Sequence, residues 1–228
     1  MKKITLGLVA AGVMSLSAVA SAQSAFDGAY GQVGIGYQST TPGGGSGNQV
    51  MGGTTYNRST SFSNANDFTG TVTIGYMGTV SNNFLLGIGA EYSPIAGSNT
   101  NTTTSGGGLT SATSQYKIEN SYNIFLSPAI AIDKDKLVYG KVGYSGASVK
   151  TSFAGSNNPT TNFTGYSLGL GYKQIISGGF YGFAEGNYFS YGNQTTNSSG
   201  TVSGTAYTSS TTSNANAYNL LVGVGYKF

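Results

Sequence analysis

The last eleven residues, from Tyr218 to Phe228, alternate strictly between two kinds of side chain. Successive side chains of a β-strand point to opposite faces, so residues two apart share a face. One face of this stretch is wholly apolar, and the other is small or polar except at Leu221. A strand with an apolar face can cross a membrane only if its backbone groups are all paired. We therefore expect it to close a barrel by pairing with the first strand. The alternative is the edge strand of a secreted, soluble β-sandwich.

The first 22 residues have the pattern of a cleavable export signal. Lys2 and Lys3 precede an apolar run, and Ala20, Ser21 and Ala22 form a small-residue cleavage site. Residues 23–228 then form a single domain. Removal of the two lysines lowers the net charge from +3 to +1, because +3 less two positive charges leaves +1. This small charge argues against a nucleic-acid partner.

Eight candidate strands follow, and the connections between them alternate between long and short. The long connections are polar and rich in Gly, Ser, Thr and Asn, which predicts solvated loops. They cover residues 39–66, 94–115, 151–162 and 192–213, and the short turns cover residues 79–83, 133–136 and 177–179. This sorting predicts an up-and-down barrel with all long loops on one side. A soluble sandwich has no reason to sort its loops in this way.

The carboxy-terminal pattern of Gly223, Tyr226 and Phe228 resembles the assembly signal of bacterial outer-membrane β-barrels. Leu221 stands where that pattern has a polar residue. With the loop sorting, the chain resembles small outer-membrane barrels of the OmpA/OmpX-like type. The resemblance implies an all-β, eight-stranded antiparallel transmembrane barrel in the outer membrane of a Gram-negative bacterium. It implies short periplasmic turns, four longer extracellular loops and a monomer. Outer-membrane lipids and the barrel-assembly machinery are its implied partners.

Charged residues within the candidate strands should face the lumen, because a lysine facing lipid near mid-bilayer costs roughly 2 to 4 kcal/mol. The alternation sends five of them inward: Glu91, Lys117, Glu119, Lys141 and Glu185. An eight-stranded barrel has little internal space, so we expect these charges to pair and plug it. A gated narrow pore is the alternative.

The seventh candidate strand and the inward glycines bear on how full the lumen is. Tyr181, Phe183 and Phe189 share a face with Glu185, so the lumen must accept aromatic side chains. Abundant inward glycine could instead leave water-filled gaps.

The chain contains neither histidine nor cysteine. Histidine-dependent hydrolysis, thiolate metal sites and disulfides are therefore excluded. We predict no catalytic residue, no cofactor and no metal site. A structural or interaction protein that displays polar surface loops is the first functional interpretation, and a porin-like passive channel for small solutes is the second. The loops name no extracellular ligand, since their few anchors are Met51, Tyr56, Arg58 and Leu109.

Overall fold

The computed structural model describes residues 24–152 and 157–228, so the predicted export signal lies outside the described residues. These residues form one antiparallel sheet of eleven strands. The strands are β1 (Gly28–Pro42), β2 (Gly45–Met51), β3 (Thr54–Phe62), β4 (Ala65–Ser81), β5 (Phe84–Ser93), β6 (Thr100–Ser105), β7 (Ala112–Asp133), β8 (Lys136–Ser152), β9 (Thr160–Ser177), β10 (Phe180–Val202) and β11 (Thr205–Lys227).

Eight of the strands form a ring of hydrogen-bonded neighbours. The pairs are β1–β4, β4–β5, β5–β7, β7–β8, β8–β9, β9–β10, β10–β11 and β11–β1. The last of these pairs runs in register from Tyr30 opposite Lys227 to Pro42 opposite Ala215. The carboxy-terminal strand therefore pairs with the first strand, as its alternation predicts.

The structure has three strands more than the sequence predicted, and they lie where long loops were expected. β2 and β3 lie within residues 39–66, β6 lies within residues 94–115, and β10 and β11 extend through most of residues 192–213. Their polar composition excludes a packed core but not a hydrogen-bonded ladder. Threonine is β-branched and favours strands, and its hydroxyl can pair across strands. The Oγ1 atoms of Thr60 and Thr104 lie 3.0 Å apart. The expectation of loops is therefore wrong for most of residues 39–66 and 192–213, whereas residues 94–99 and 106–111 do lie outside strands.

The extra strands continue the wall of the ring at the end where the long connections lie. β2 pairs with residues 207–212 of β11, β3 pairs with β2, and β6 joins β3 to residues 112–116 of β7. They replace β1, β4 and β5 in the wall. We call the enclosure formed by β2, β3, β6 and the adjoining ends of β7 to β11 the cup.

The apolar strand faces point away from the interior of the ring. Val33 and Ile35 of β1 are 53% and 56% exposed, whereas Gln32 on the opposite face of the same strand is 6% exposed. Each of the eight ring strands also contributes one exposed aromatic residue to a belt near the cup. Its members are Tyr37, Phe68, Tyr92, Tyr122, Tyr144, Tyr166, Tyr188 and Tyr218. They stand opposite one another in four cross-strand pairs.

Aromatic side chains fill the space above the inward glycines. A Cβ atom on Gly75 would lie 2.6 Å from Cζ of Tyr30, and one on Gly89 would lie 2.5 Å from Cζ of Phe125. Phe183 and Tyr181 occupy the corresponding space at Gly223 and Gly225. At these positions rings take the place of the water-filled gaps that the sequence left open.

Replacing Gly75 with alanine should therefore destabilise the fold. The added methyl group overpacks against Tyr30, which typically costs about 1–3 kcal/mol. The control is Gly140→Ala, because a Cβ atom there meets nothing closer than 3.8 Å. Urea unfolding in detergent micelles measures both variants. Equal stabilities would contradict the close packing at Gly75.

Candidate functional site

Three charged side chains meet in the middle of the ring. Nζ of Lys141 lies 3.1 Å from Oε2 of Glu91 and 2.8 Å from Oε1 of Glu185. The side chains of Lys141, Glu91 and Glu185 are 1%, 5% and 1% exposed. They come from β8, β5 and β10, no two of which are hydrogen-bonded neighbours. The cluster thus ties three separate parts of the wall together across the interior.

Further hydrogen bonds satisfy the two carboxylates. The Tyr139 hydroxyl donates to Oε2 of Glu185 at 2.7 Å, and Nδ2 of Asn187 donates to Oε1 of Glu185 at 2.6 Å. The Thr73 hydroxyl donates to Oε2 of Glu91 at 3.2 Å. Buried ion pairs are tolerated when such bonds replace the lost water. These hydrogen bonds therefore hold the two carboxylates of the cluster in place inside the ring.

Lys173 is a fourth buried charge, and the sequence analysis missed it. Its Nζ atom lies 3.9 Å from the ring centroid of Tyr30, 4.9 Å from that of Tyr181 and 5.0 Å from that of Tyr139. Aromatic faces attract a cation at such distances. The alternation of β9 contained the signal, because Lys173 shares the parity of the buried Ser167. Two lysines and two glutamates thus lie buried inside the ring.

Lys117 and Glu119 do not join this cluster. They pair with each other at 3.4 Å, and their side chains are 36% and 31% exposed. The register between β7 and β8 shifts between Ile118 and Asn120, so β7 carries one extra residue there. Such a bulge reverses the alternation beyond it. Ile118 consequently packs inward, and the predicted inward placement of its two charged neighbours is corrected.

Comparison with known proteins identifies the fold. Neither a scan against protein-family models nor a search of curated protein sequences finds a match. Among solved structures, the chain is similar to the outer membrane protein OprG from Pseudomonas aeruginosa, with a TM-score of 0.58 and 14% sequence identity. The similarity covers 89% of this chain and 96% of that chain. The chain has the fold of small bacterial outer-membrane β-barrel proteins.

Two other solved structures of outer-membrane barrels are similar at lower scores. The outer membrane protease OmpT from Escherichia coli has a TM-score of 0.49 and 13% identity, over 92% of this chain and 99% of that chain. The attachment invasion locus protein Ail of Yersinia pestis has a TM-score of 0.41 and 14% identity, over 89% and 99% of the two chains.

Apolar clusters lie on both sides of the charged layer of this barrel fold. The cluster on the side of the short turns contains Leu85 and Leu137, both 0% exposed, together with Leu221. The other cluster contains Phe163, Phe189 and Tyr191 and forms the floor of the cup. The interior is therefore occupied by side chains through three successive layers.

Above that floor, the cup encloses a cavity of about 350 Å³. Tyr116 lines it, and its hydroxyl donates to the carbonyl oxygen of Ser63 at 2.7 Å. Burial, with a smaller contribution from the charge of Asp67, raises the pKa of Tyr116 to about 12. The hydroxyl thus stays protonated at neutral pH and remains a donor.

The three residues of the predicted assembly signal lie in and just after the carboxy-terminal end of β11, on both faces of the wall. The Phe183 ring occupies the space where a side chain on Gly223 would lie. The Tyr226 ring contacts those of Phe180 and Phe228, with centroids 4.8 Å and 5.1 Å apart. This places Tyr226 and Phe228 in an external aromatic cluster. Their role as an assembly signal stays a prediction.

Within residues 24–152 and 157–228, no group of three or more potential metal ligands of the His, Cys, Asp or Glu type is found. No helix in the same part of the chain is long and apolar enough to cross a membrane.

Proposed function

We propose that this protein resides in the bacterial outer membrane and acts there as an interaction protein rather than as a channel. The ring strands β1, β4, β5, β7, β8, β9, β10 and β11 close an eight-stranded up-and-down transmembrane barrel. Its lumen is plugged, and the cup stands on the extracellular side. The return of the hydrogen-bonded pairs from β11 to β1 supports closure, because a closed ladder leaves no unpaired edge in lipid.

The aromatic belts support a transmembrane position for the ring. Tyr218 belongs to the belt near the cup, and Tyr226 lies at the opposite end of the same strand, eight residues away. That separation is about 27 Å along the strand at roughly 3.4 Å per residue, or about 20 Å along the membrane normal at a tilt of about 40°. Leu220, Val222 and Val224 between them are all exposed. The spacing is close to the ~25 Å apolar band of outer-membrane barrels.

The observation that carries the plugged lumen is the ion cluster of Glu91, Lys141 and Glu185 across the ring. Its side chains occupy the middle of the interior, with apolar layers on both sides. Eight-stranded barrels have interiors just wide enough for side chains, so no continuous water path is expected. A porin-like role requires this cluster to separate.

The membrane assignment is tested by cell fractionation and gel mobility. We expect the protein in the outer-membrane fraction, and we expect unheated samples to migrate faster on SDS gels than boiled samples. A closed strand ladder resists detergent until it is heated. Release of the protein in soluble form, with the same mobility before and after heating, would favour the soluble β-sandwich instead. Swelling of protein-loaded liposomes in small sugars or amino acids would favour the passive channel.

A further inference from the structure

Arg58 is a buried cation in the wall of the cup with no ionic partner. The residue lies on β3 and is 5% exposed. Its Nη1 atom donates to the carbonyl oxygen of Gly106 at 2.8 Å, and Nη2 donates to those of Thr104 and Thr110 at 3.1 and 3.2 Å. No ion pair within the described ranges includes Arg58. Carbonyl dipoles therefore satisfy part of the guanidinium, but no negative charge compensates it.

One nitrogen of this guanidinium, Nε, makes no hydrogen bond. Nε of Arg58 is buried and has no hydrogen-bond partner in the structure, and the same holds for the hydroxyl of Thr102. Burying a donor without a hydrogen bond is unfavourable, and more so when the donor belongs to a charged group. Both side chains line the cavity of the cup. A purely structural role would tie β3 to β6 and to the segment that follows it. That role uses only the three carbonyl contacts and leaves the buried Nε–H unexplained.

The rest of the cavity lining suits an apolar molecule. Phe62, Ile118, Val149 and Phe163 line it together with threonine and serine hydroxyls. Pockets that bind small molecules are mostly apolar, with a few polar groups that fix the orientation of the ligand. The volume of about 350 Å³ lies within the range of roughly 300–1,000 Å³ that is typical of small-molecule pockets.

We propose that the cup binds a small organic anion, with a carboxylate at Arg58 and an apolar body on the floor of the cavity. The carboxylate supplies the negative charge that the guanidinium lacks, and charge-assisted hydrogen bonds of this kind are the strong ones. Octanoate, a medium-chain carboxylate, has this chemistry. This inference rests on the proposed function for the extracellular position of the cup, but binding itself does not require that orientation.

The test is isothermal titration of the full chain in lipid nanodiscs, with empty nanodiscs as the blank. Octanoate is compared with octanol, which has the same apolar body and no charge. We expect octanoate to bind at least tenfold more tightly than octanol, and Arg58→Gln to remove that preference. Equal binding of the two probes, no binding of octanoate, or an unchanged preference in Arg58→Gln would each overturn the proposal.

A second variant keeps the test decisive if Arg58→Gln does not fold. Ala215 lines the cavity away from the guanidinium contacts, and Ala215→Leu fills part of the volume while leaving Arg58 in place. We expect this variant to weaken octanoate binding at least tenfold, and unchanged binding would overturn the site. Heat-dependent gel mobility of the same samples separates the two proposals. Absent binding with intact mobility removes the ligand site alone, whereas absent mobility change removes the barrel.

Discussion

Replacing Lys141 with methionine is expected to lower the free energy of unfolding by about 3–5 kcal/mol, the usual cost of leaving a buried charge without its partner. Glu91 and Glu185 both bond to Nζ of Lys141, so the substitution leaves two buried carboxylates without that cation. Methionine keeps most of the side-chain volume, which restricts the change largely to the charge. The free energy is measured by urea unfolding in micelles, with gel mobility as the readout of the folded fraction.

Lys117→Met is the matched control for this prediction. Lys117 also pairs with a glutamate, but both side chains are about one-third exposed. Exposed pairs contribute roughly 0–1 kcal/mol, so the control should change stability little. Equal effects of the two substitutions would show that water already reaches the carboxylates inside the ring, and the plug would then fail.

The second large effect is expected at Leu85, which is 0% exposed in the apolar cluster of the barrel interior. Leu85→Ala should cost about 2–5 kcal/mol, because it removes buried contacts and leaves a cavity. The next residue, Leu86, is 45% exposed on the opposite face of the same strand. Leu86→Ala exchanges one lipid or detergent contact for another and should cost much less. A larger loss of stability in Leu86→Ala than in Leu85→Ala would contradict a packed core inside the ring.

The outward faces of the ring strands were predictable from the sequence because lipid imposes a strict rule on them. In the proposed transmembrane position, residues such as Ile35 and Leu220 must be apolar, and the two-residue period then assigns the opposite face to the interior. The same rule predicted that Tyr181 and Phe183 enter the lumen. The glycines that receive these rings lie on neighbouring strands, so the fit depends on strand register.

The cup was not predictable in the same way, because no lipid rule acts on it. Its strands carry Thr, Ser, Asn and Gly on both faces, a composition also typical of loops. The ends of β7 and β11 project past β1 and β5 and offer backbone groups that β6 and β2 pair with. This is a tertiary effect, and residue type alone does not reveal it.

Single-residue irregularities limited the prediction of the charged site. Counting alternate residues placed Glu91, Lys141 and Glu185 inside, because their strands are regular between the ring ends. The count failed for Lys117 and Glu119, since the bulge in β7 inserts one residue and exchanges the faces. An apolar Ile118 between two charges was the only local sign of this exchange.

Planar-bilayer recording of the purified, heat-modifiable protein tests the plugged lumen most directly. The ion cluster and the two apolar layers occupy the space that a conducting path needs, so insertion should produce no steady current above that of the protein-free bilayer. Stable, stepwise, porin-like conductance from the unmodified protein would contradict the account.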